Sequence, residues 1–300
     1  MILLDRRGVF LNRLLVAFFF LSGVLAVFAE VVTVPETAPY RPSAAPEVYA
    51  KAFVLFDAVT GKVLLEKNSR EKLPVASTQK LLTALLIAEA GNLDRNVKIQ
   101  AVDTKPEPSK LYIKAGEIYS RRDLLQVLLV RSMNDVAAAL ARDHSGSVEE
   151  FALSMTARAR RLKALSSNFK NPHGLPAEGQ YSTARDMAAI ARAVYFNPTL
   201  RKMIRTERFS ITRPRDGKIL TYRNTNKVLR RYLFCNGMKT GYTRASGNCL
   251  VASGAWNGRH MIAVILGSNS KHIWDDSTRL LAYGLRIPEA DLPRFRKDTK

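Results

Sequence analysis

The chain is poor in the residues that build metal and redox centres. Its 300 residues include two cysteines and four histidines. No H-x-x-x-H or C-x-x-C spacing occurs, so no metal ligands and no cofactor are expected. There is no G-x-S-x-G, which removes the nucleophile turn of one large hydrolase class. Acidic residues are scarce too: 26 Asp and Glu face 47 Lys and Arg, a net charge of +21. Such a surface attracts polyanions. The basic residues are scattered, however, and no aromatic-studded platform for single strands accompanies them, so nucleic acid is not the expected partner. Anionic wall polymers or a membrane surface fit the charge better.

Long apolar runs are confined to the first 29 residues. Arg6, Arg7 and Arg13 precede an apolar stretch from Leu14 to Ala29 that ends in Val27-Phe28-Ala29, with small residues at the −3 and −1 positions. This reads as a secretory signal over 1–29. The run is short for a bilayer span, and no later stretch is long enough. Three Arg and one Asp lie in it, leaving +19 for the exported part. Pro35, Pro39, Pro42 and Pro46 then mark a linker over 30–47. A folded domain over 48–287 and a short tail over 288–300 complete the predicted organisation. The expected location is the periplasm or cell-wall space.

What the chain does contain is a set of three short motifs in a fixed order: Ser77-Thr78-Gln79-Lys80, Ser132-Met133-Asn134 and Lys239-Thr240-Gly241. Singly they are weak, since S-x-x-K occurs four times (from Ser69, Ser77, Ser167 and Ser268) and S-x-N three times (from Ser132, Ser166 and Ser246). K-T-G occurs once. Context selects Ser77. Leu81 to Ala88 is apolar almost all round and stops at Gly91, the pattern of a buried helix. Ser77 would stand at its N-terminus, where backbone N–H groups favour developing negative charge. Lys80 follows one turn on along the same face, and burial should lower its pKa toward that of a useful base. The other three serines read as surface polar sequence.

Strand signals lie at both ends and helices between. Ala52–Phe56 and Val63–Glu66 form a predicted hairpin, and Asn248–Trp256 and His260–Gly267 another, joined by Asn257-Gly258. Phe234 to Gly241 precedes them as a third strand. Helices are predicted over Arg122–Val130, Asp135–Ala141, Glu149–Leu165, from Thr183 with a capping-box-like start, and after Lys271. The fold class is therefore α/β: an antiparallel sheet flanked by helices, with an all-α insert. Cys235 and Cys249 fall on runs that look like neighbouring strands, which leaves a cross-strand disulfide open. Gly241 has no side chain, which would let a substrate backbone approach its strand.

The ordered set S-x-x-K, S-x-N, K-T-G marks penicillin-binding proteins and class A β-lactamases. Further stretches resemble the D-alanyl-D-alanine carboxypeptidases: Asp57-Ala58-Val59-Thr60-Gly61-Lys62, Ala115-Gly116-Glu117, Asn171-Pro172-His173-Gly174-Leu175 and Tyr181-Ser182-Thr183-Ala184-Arg185-Asp186. The resemblance runs from about Val48 to Arg286 and implies a β-lactamase/penicillin-binding transpeptidase-like fold. It also implies peptidoglycan stem peptides as substrates and β-lactams as covalent inhibitors. By the same resemblance Ser77 is the nucleophile, Lys80 its base, and Ser132 the relay to the leaving amine. Asn134 positions Lys80 and the substrate amide. Lys239, as a permanent cation, holds the terminal carboxylate with Thr240, and the N–H groups of Ser77 and Tyr242 form an oxyanion hole. A class A β-lactamase would add a Glu-x-x-x-Asn loop, which is absent between Ser132 and Lys239. Many relatives continue into a β-rich domain and an amphipathic C-terminal helix, so attachment through such a tail is not expected.

Overall fold

Strands from the two ends of the chain meet in one sheet. The computed structural model describes residues 44–297; the expected signal over 1–29, most of the linker over 30–47 and the last three residues of the tail lie outside them. In chain order the elements are β1 (Ala52–Asp57), β2 (Val63–Lys67), α1 (Lys80–Glu89), β3 (Asn96–Lys98), β4 (Ile118–Ser120), α2 (Arg121–Arg131), α3 (Asn134–Ser145), α4 (Val148–Arg161) and α5 (Ala184–Phe196). There follow α6 (Pro198–Ile204), β5 (Arg208–Thr212), β6 (Ile219–Arg223), α7 (Lys227–Arg231), β7 (Cys235–Thr243), β8 (Gly247–Trp256), β9 (Arg259–Ser268) and α8 (Ile273–Leu285). The main sheet runs β2-β1-β9-β8-β7, every pair antiparallel. The predicted antiparallel sheet with a helical insert is thus the observed architecture.

The sheet is buried on both faces, and side-chain alternation divides the core in two. Val54, Phe56, Ile262, Val264 and Leu266 point toward α1, α2, α3 and α5. Phe53, Leu55, Met261, Ala263 and Ile265 point the other way, onto Ile273, Leu280, Leu281 and Leu285 of α8. Helix α1 runs through the middle of the helical side, buried from Lys80 to Ile87. A helix so placed cannot move without disturbing its neighbours, which makes its N-terminus a rigid mount.

One boundary expectation changes. Helix α4 ends at Arg161 rather than Leu165, because Lys163 turns left-handed at φ +65° and Leu165 is exposed. Asn257 and Gly258 (φ +45° and +73°) form the predicted β8–β9 turn. The cross-strand disulfide does not form: both cysteines are free and buried. Cys235 pairs with Gly254 and Cys249 with Gly241, so they are far out of register. They also face opposite sides of the sheet, Cys249 toward the helical core and Cys235 toward α8. Among the described residues, no helix is long and apolar enough to cross a membrane.

Candidate active site

A single turn of 3-10 helix, Ala76–Gln79, leads into α1 and carries Ser77. Two side chains fix this turn: Thr78 Oγ1 donates to the Val75 carbonyl at 2.6 Å, and buried Gln79 donates through Nε2 to the Asn171 carbonyl at 2.6 Å. Ala76 is held at φ +48°, a conformation costly for a residue with a Cβ. Lys80 comes next, as the first residue of α1, and returns its side chain along the face of Ser77. Its Nζ lies 2.8 Å from Ser77 Oγ, 2.7 Å from Asn134 Oδ1 and 2.5 Å from the His173 carbonyl oxygen.

Lys80 is fully buried, and all three of these acceptors are neutral. Burial, reinforced by the like charge of Lys239, holds its pKa well below the ordinary lysine value of 10.5; Asp135 opposes this only in part. Asp135 is itself committed elsewhere, accepting from the backbone N–H of Leu111 at 3.0 Å and of Ile113 at 3.3 Å. A neutral amine has two N–H donors and one lone pair. The carbonyl oxygens of Asn134 and His173 take the donors, which leaves the lone pair for the Ser77 hydroxyl proton.

Asn134 opens α3, one residue beyond the α2–α3 turn. Its orientation is set from behind: Nδ2 donates to the Pro108 carbonyl at 2.5 Å and the backbone N–H to Ser109 at 2.7 Å. The amide oxygen is therefore the end that meets Lys80. Ser132 ends α2 in the left-handed conformation, φ +71°, and is half-buried. It makes no hydrogen bond to Ser77 or Lys80. Ser77, Lys80 and Asn134 thus form one hydrogen-bonded group with Ser132 beside it.

Strand β7 packs closely against the Ser77 turn. Lys239 was expected to be a permanent cation. It is 1% exposed, donates to the Thr240 carbonyl at 2.8 Å, and burial pushes its pKa down to about 7. A carboxylate placed beside it would favour its protonated form. Gly241 was expected to make room for substrate backbone. A Cβ there would lie 2.8 Å from the Ser77 nitrogen and 3.0 Å from that of Thr78. The missing side chain makes room for the Ser77 turn itself, pressing β7 against it. Thr240 Oγ1 shares a 2.6 Å hydrogen bond with Thr225 Oγ1, and Tyr242 is exposed.

Several contributors had no predicted role. The His173 carbonyl accepts from Lys80 and lies 3.2 Å from Ser77 Oγ. The His173 ring is held neutral, its pKa lowered to about 3 by burial and by Lys80. Gly174 (φ +86°) passes so close to the turn that a Cβ would sit 2.1 Å from the Ala76 oxygen. Asn171 Oδ1 accepts from Gly174 N at 2.8 Å and holds this loop in place. The stretch Asn171 to Leu175 was visible as a resemblance, but a backbone carbonyl leaves no residue-type signal.

The competing motifs are not surface sequence, as expected, but buried structural serines. Ser69 bonds to Glu66, and Ser167 Oγ donates to Asp186 at 2.7 Å; Ser268 is also buried. Their lysines turn away: Lys72 lies over the Tyr181 ring, while Lys170 and Lys271 are exposed. Ser246 serves the β7–β8 turn, accepting from Thr243 N at 3.0 Å.

Comparison with known proteins finds relatives of one family. Residues 39–270 match a family model described as D-alanyl-D-alanine carboxypeptidase. The chain is 35% identical over 226 residues to D-alanyl-D-alanine carboxypeptidase DacF of Bacillus subtilis, covering 74% of this chain and 58% of that protein. It is 30% identical over 270 residues to the D-alanyl-D-alanine endopeptidase of Escherichia coli, covering 88% and 86%. A crystal structure of D-alanyl-D-alanine carboxypeptidase from Mycobacterium tuberculosis H37Rv superposes with a TM-score of 0.77 at 29% identity, covering 82% of this chain and 95% of that one. The fold is that of the penicillin-binding D,D-peptidases. The chain spans 58% and 64% of the first two curated relatives it matches.

Proposed function

This chain belongs to the D-alanyl-D-alanine carboxypeptidase family, and we propose that it removes the terminal D-alanine from peptidoglycan stem pentapeptides through an acyl-enzyme on Ser77. One observation carries this: a fully buried lysine, its ammonium charge unfavourable, lies 2.8 Å from a serine hydroxyl at the mouth of a rigid helix. A hydroxyl becomes a useful nucleophile only when an adjacent base removes its proton.

The steps assign each group one task. Ser77 Oγ attacks the carbonyl of the penultimate D-Ala, and its proton passes to neutral Lys80. The oxyanion is met by the N–H groups of Ser77 and Tyr242, a reading supported by the close approach of β7 to the Ser77 turn at Gly241. The C–N bond then breaks, the leaving amine takes a proton through Ser132, and water hydrolyses the ester to return Ser77. Lys239 and Thr240 hold the terminal carboxylate. Ser77→Ala should abolish covalent labelling by a fluorescent penicillin, while Ser69→Ala, Ser167→Ala and Ser268→Ala keep it. Full labelling of the Ser77 variant would sink the assignment.

A second reading rests on one relative's activity: the chain is 30% identical over 270 residues to a D-alanyl-D-alanine endopeptidase. Mass spectrometry of muropeptides after incubation separates the two: loss of one alanine from pentapeptides marks a carboxypeptidase, breakage of cross-linked dimers an endopeptidase. We further propose export through residues 1–29, a linker over 30–47, a catalytic domain over 48–287 with a short tail over 288–300, and contact of the basic surface with anionic wall polymers. N-terminal sequencing should find the extracytoplasmic protein beginning near Glu30; an intact Met1 on membrane-bound protein would argue for an anchor.

A further inference from the structure

Tyr112 is displayed in a way that the fold itself does not require. Its neighbours Leu111 and Ile113 are each 3% exposed and anchor in the core, while Tyr112 between them is 67% exposed. Its backbone is left-handed at φ +59°; it is the sole aromatic among the described non-glycine residues with positive φ. A bulky side chain is strained there, and Gly or Asn would serve the turn better. An exposed ring also forgoes the stabilisation that burial gives an aromatic.

The strain persists because the segment is held from several sides. The Asp135 carboxylate accepts from Leu111 N and Ile113 N. Arg215 donates to the Tyr112 carbonyl at 3.2 Å and is fixed by Glu117 at 2.7 Å. The same loop receives Asn134, through the Pro108 and Ser109 carbonyls. The loop whose carbonyls orient Asn134 toward Lys80 thus also carries Tyr112. Tyr242, on β7, is likewise 66% exposed. Lys110 Nζ stands 5.8 Å from the ring centroid.

We propose that Tyr112 is a specificity-determining residue: its ring grips the acyl side of a peptide substrate, the residues preceding the scissile bond. The Lys239–Thr240 end of β7 takes the leaving residue and its carboxylate. A ring on the loop that orients Asn134 meets what remains of an extended peptide, stacking on amide planes and aliphatic stems. Binding then offsets a conformational cost that the free protein carries. This rests on the D,D-peptidase reading above.

The test is steady-state kinetics and thermal melting of wild type, Tyr112→Gly and Tyr112→Phe. The substrates are an N-acylated L-Lys-D-Ala-D-Ala tripeptide and the shorter acetyl-D-Ala-D-Ala. Tyr112→Gly should raise KM for the tripeptide roughly tenfold, the loss of one stacked side chain, with kcat within about twofold. KM for the short substrate should hardly move, and the melting temperature should rise, because Gly relieves the left-handed strain. Tyr112→Phe should restore the tripeptide KM. An unchanged tripeptide KM in Tyr112→Gly would overturn the inference, as would an equal fall in kcat on both substrates, which would make the loop only a support for Asn134. A wild type that cleaves neither substrate would overturn the D,D-peptidase reading, and this inference with it.

Discussion

The helical region and the cleft treat buried charge in opposite ways. On the helices, buried cations meet carboxylates. Arg121 and Asp143, 4% and 6% exposed, pair at 2.5 Å, and Arg142 pairs at 2.8 Å with Asp103, 1% exposed. In the cleft, Lys80 and Lys239 are as deeply buried, yet among the described residues neither forms an ion pair. The nearest acid, Asp135, gives its oxygens to backbone amides. A paired buried charge keeps its charge and fixes geometry; an unpaired one gives it up at lower pH and becomes a base. The same burial thus makes structure in one region and chemistry in the other.

That contrast can be broken from either side. Lys80→Arg keeps a cation that cannot deprotonate, so the acylation rate should fall on the order of 10²–10⁴-fold, measured by stopped-flow with a chromogenic β-lactam. Asp143→Ala strips the partner from a buried arginine and should destabilise the fold by about 3–5 kcal/mol in denaturant titration, while the folded fraction keeps its acylation rate. Lys239→Gln removes a charged donor to the substrate carboxylate and should lower kcat/KM by roughly 10–100-fold, the worth of a charge-assisted hydrogen bond. In wild type, kcat/KM for carboxylate substrates should fall as pH rises through about 7, where Lys239 loses its proton; a substrate amidated at its C-terminus should not show this limb. The smallest effect belongs to Thr225→Val, which removes the 2.6 Å partner of Thr240. It should cost about 0.5–1.5 kcal/mol of transition-state binding, read from kcat/KM.

Much of this was legible in the residues. The apolar run after Lys80, the Asn-Gly turn and the Thr183 cap gave α1, the β8–β9 hairpin and the start of α5, because each is a local rule with a strong residue signal. Helix α6, helix α7 and the β5–β6 hairpin were not foreseen. β5–β6 faces solvent with Arg208, Ser210, Thr221 and Arg223, so its apolar alternation is weak, although Asp216-Gly217 marks its turn. At the site, side chains were readable where a motif names them. The His173 carbonyl and the approaches of Gly174 and Gly241 were not, because backbone proximity is a product of the whole fold. The burial of Lys239 was not readable for the same reason: it depends on how β7 lies against the Ser77 turn.

The most direct test of unpaired burial as the source of basicity is the pH dependence of Ser77 acylation at saturating β-lactam, where binding no longer contributes. The account predicts a first-order rate that rises with pH and levels off with a midpoint well below 10.5, and that Lys80→Arg loses across the range. A rate still climbing at pH 10, as an ordinary lysine would give, or one that Lys80→Arg retains, would contradict it.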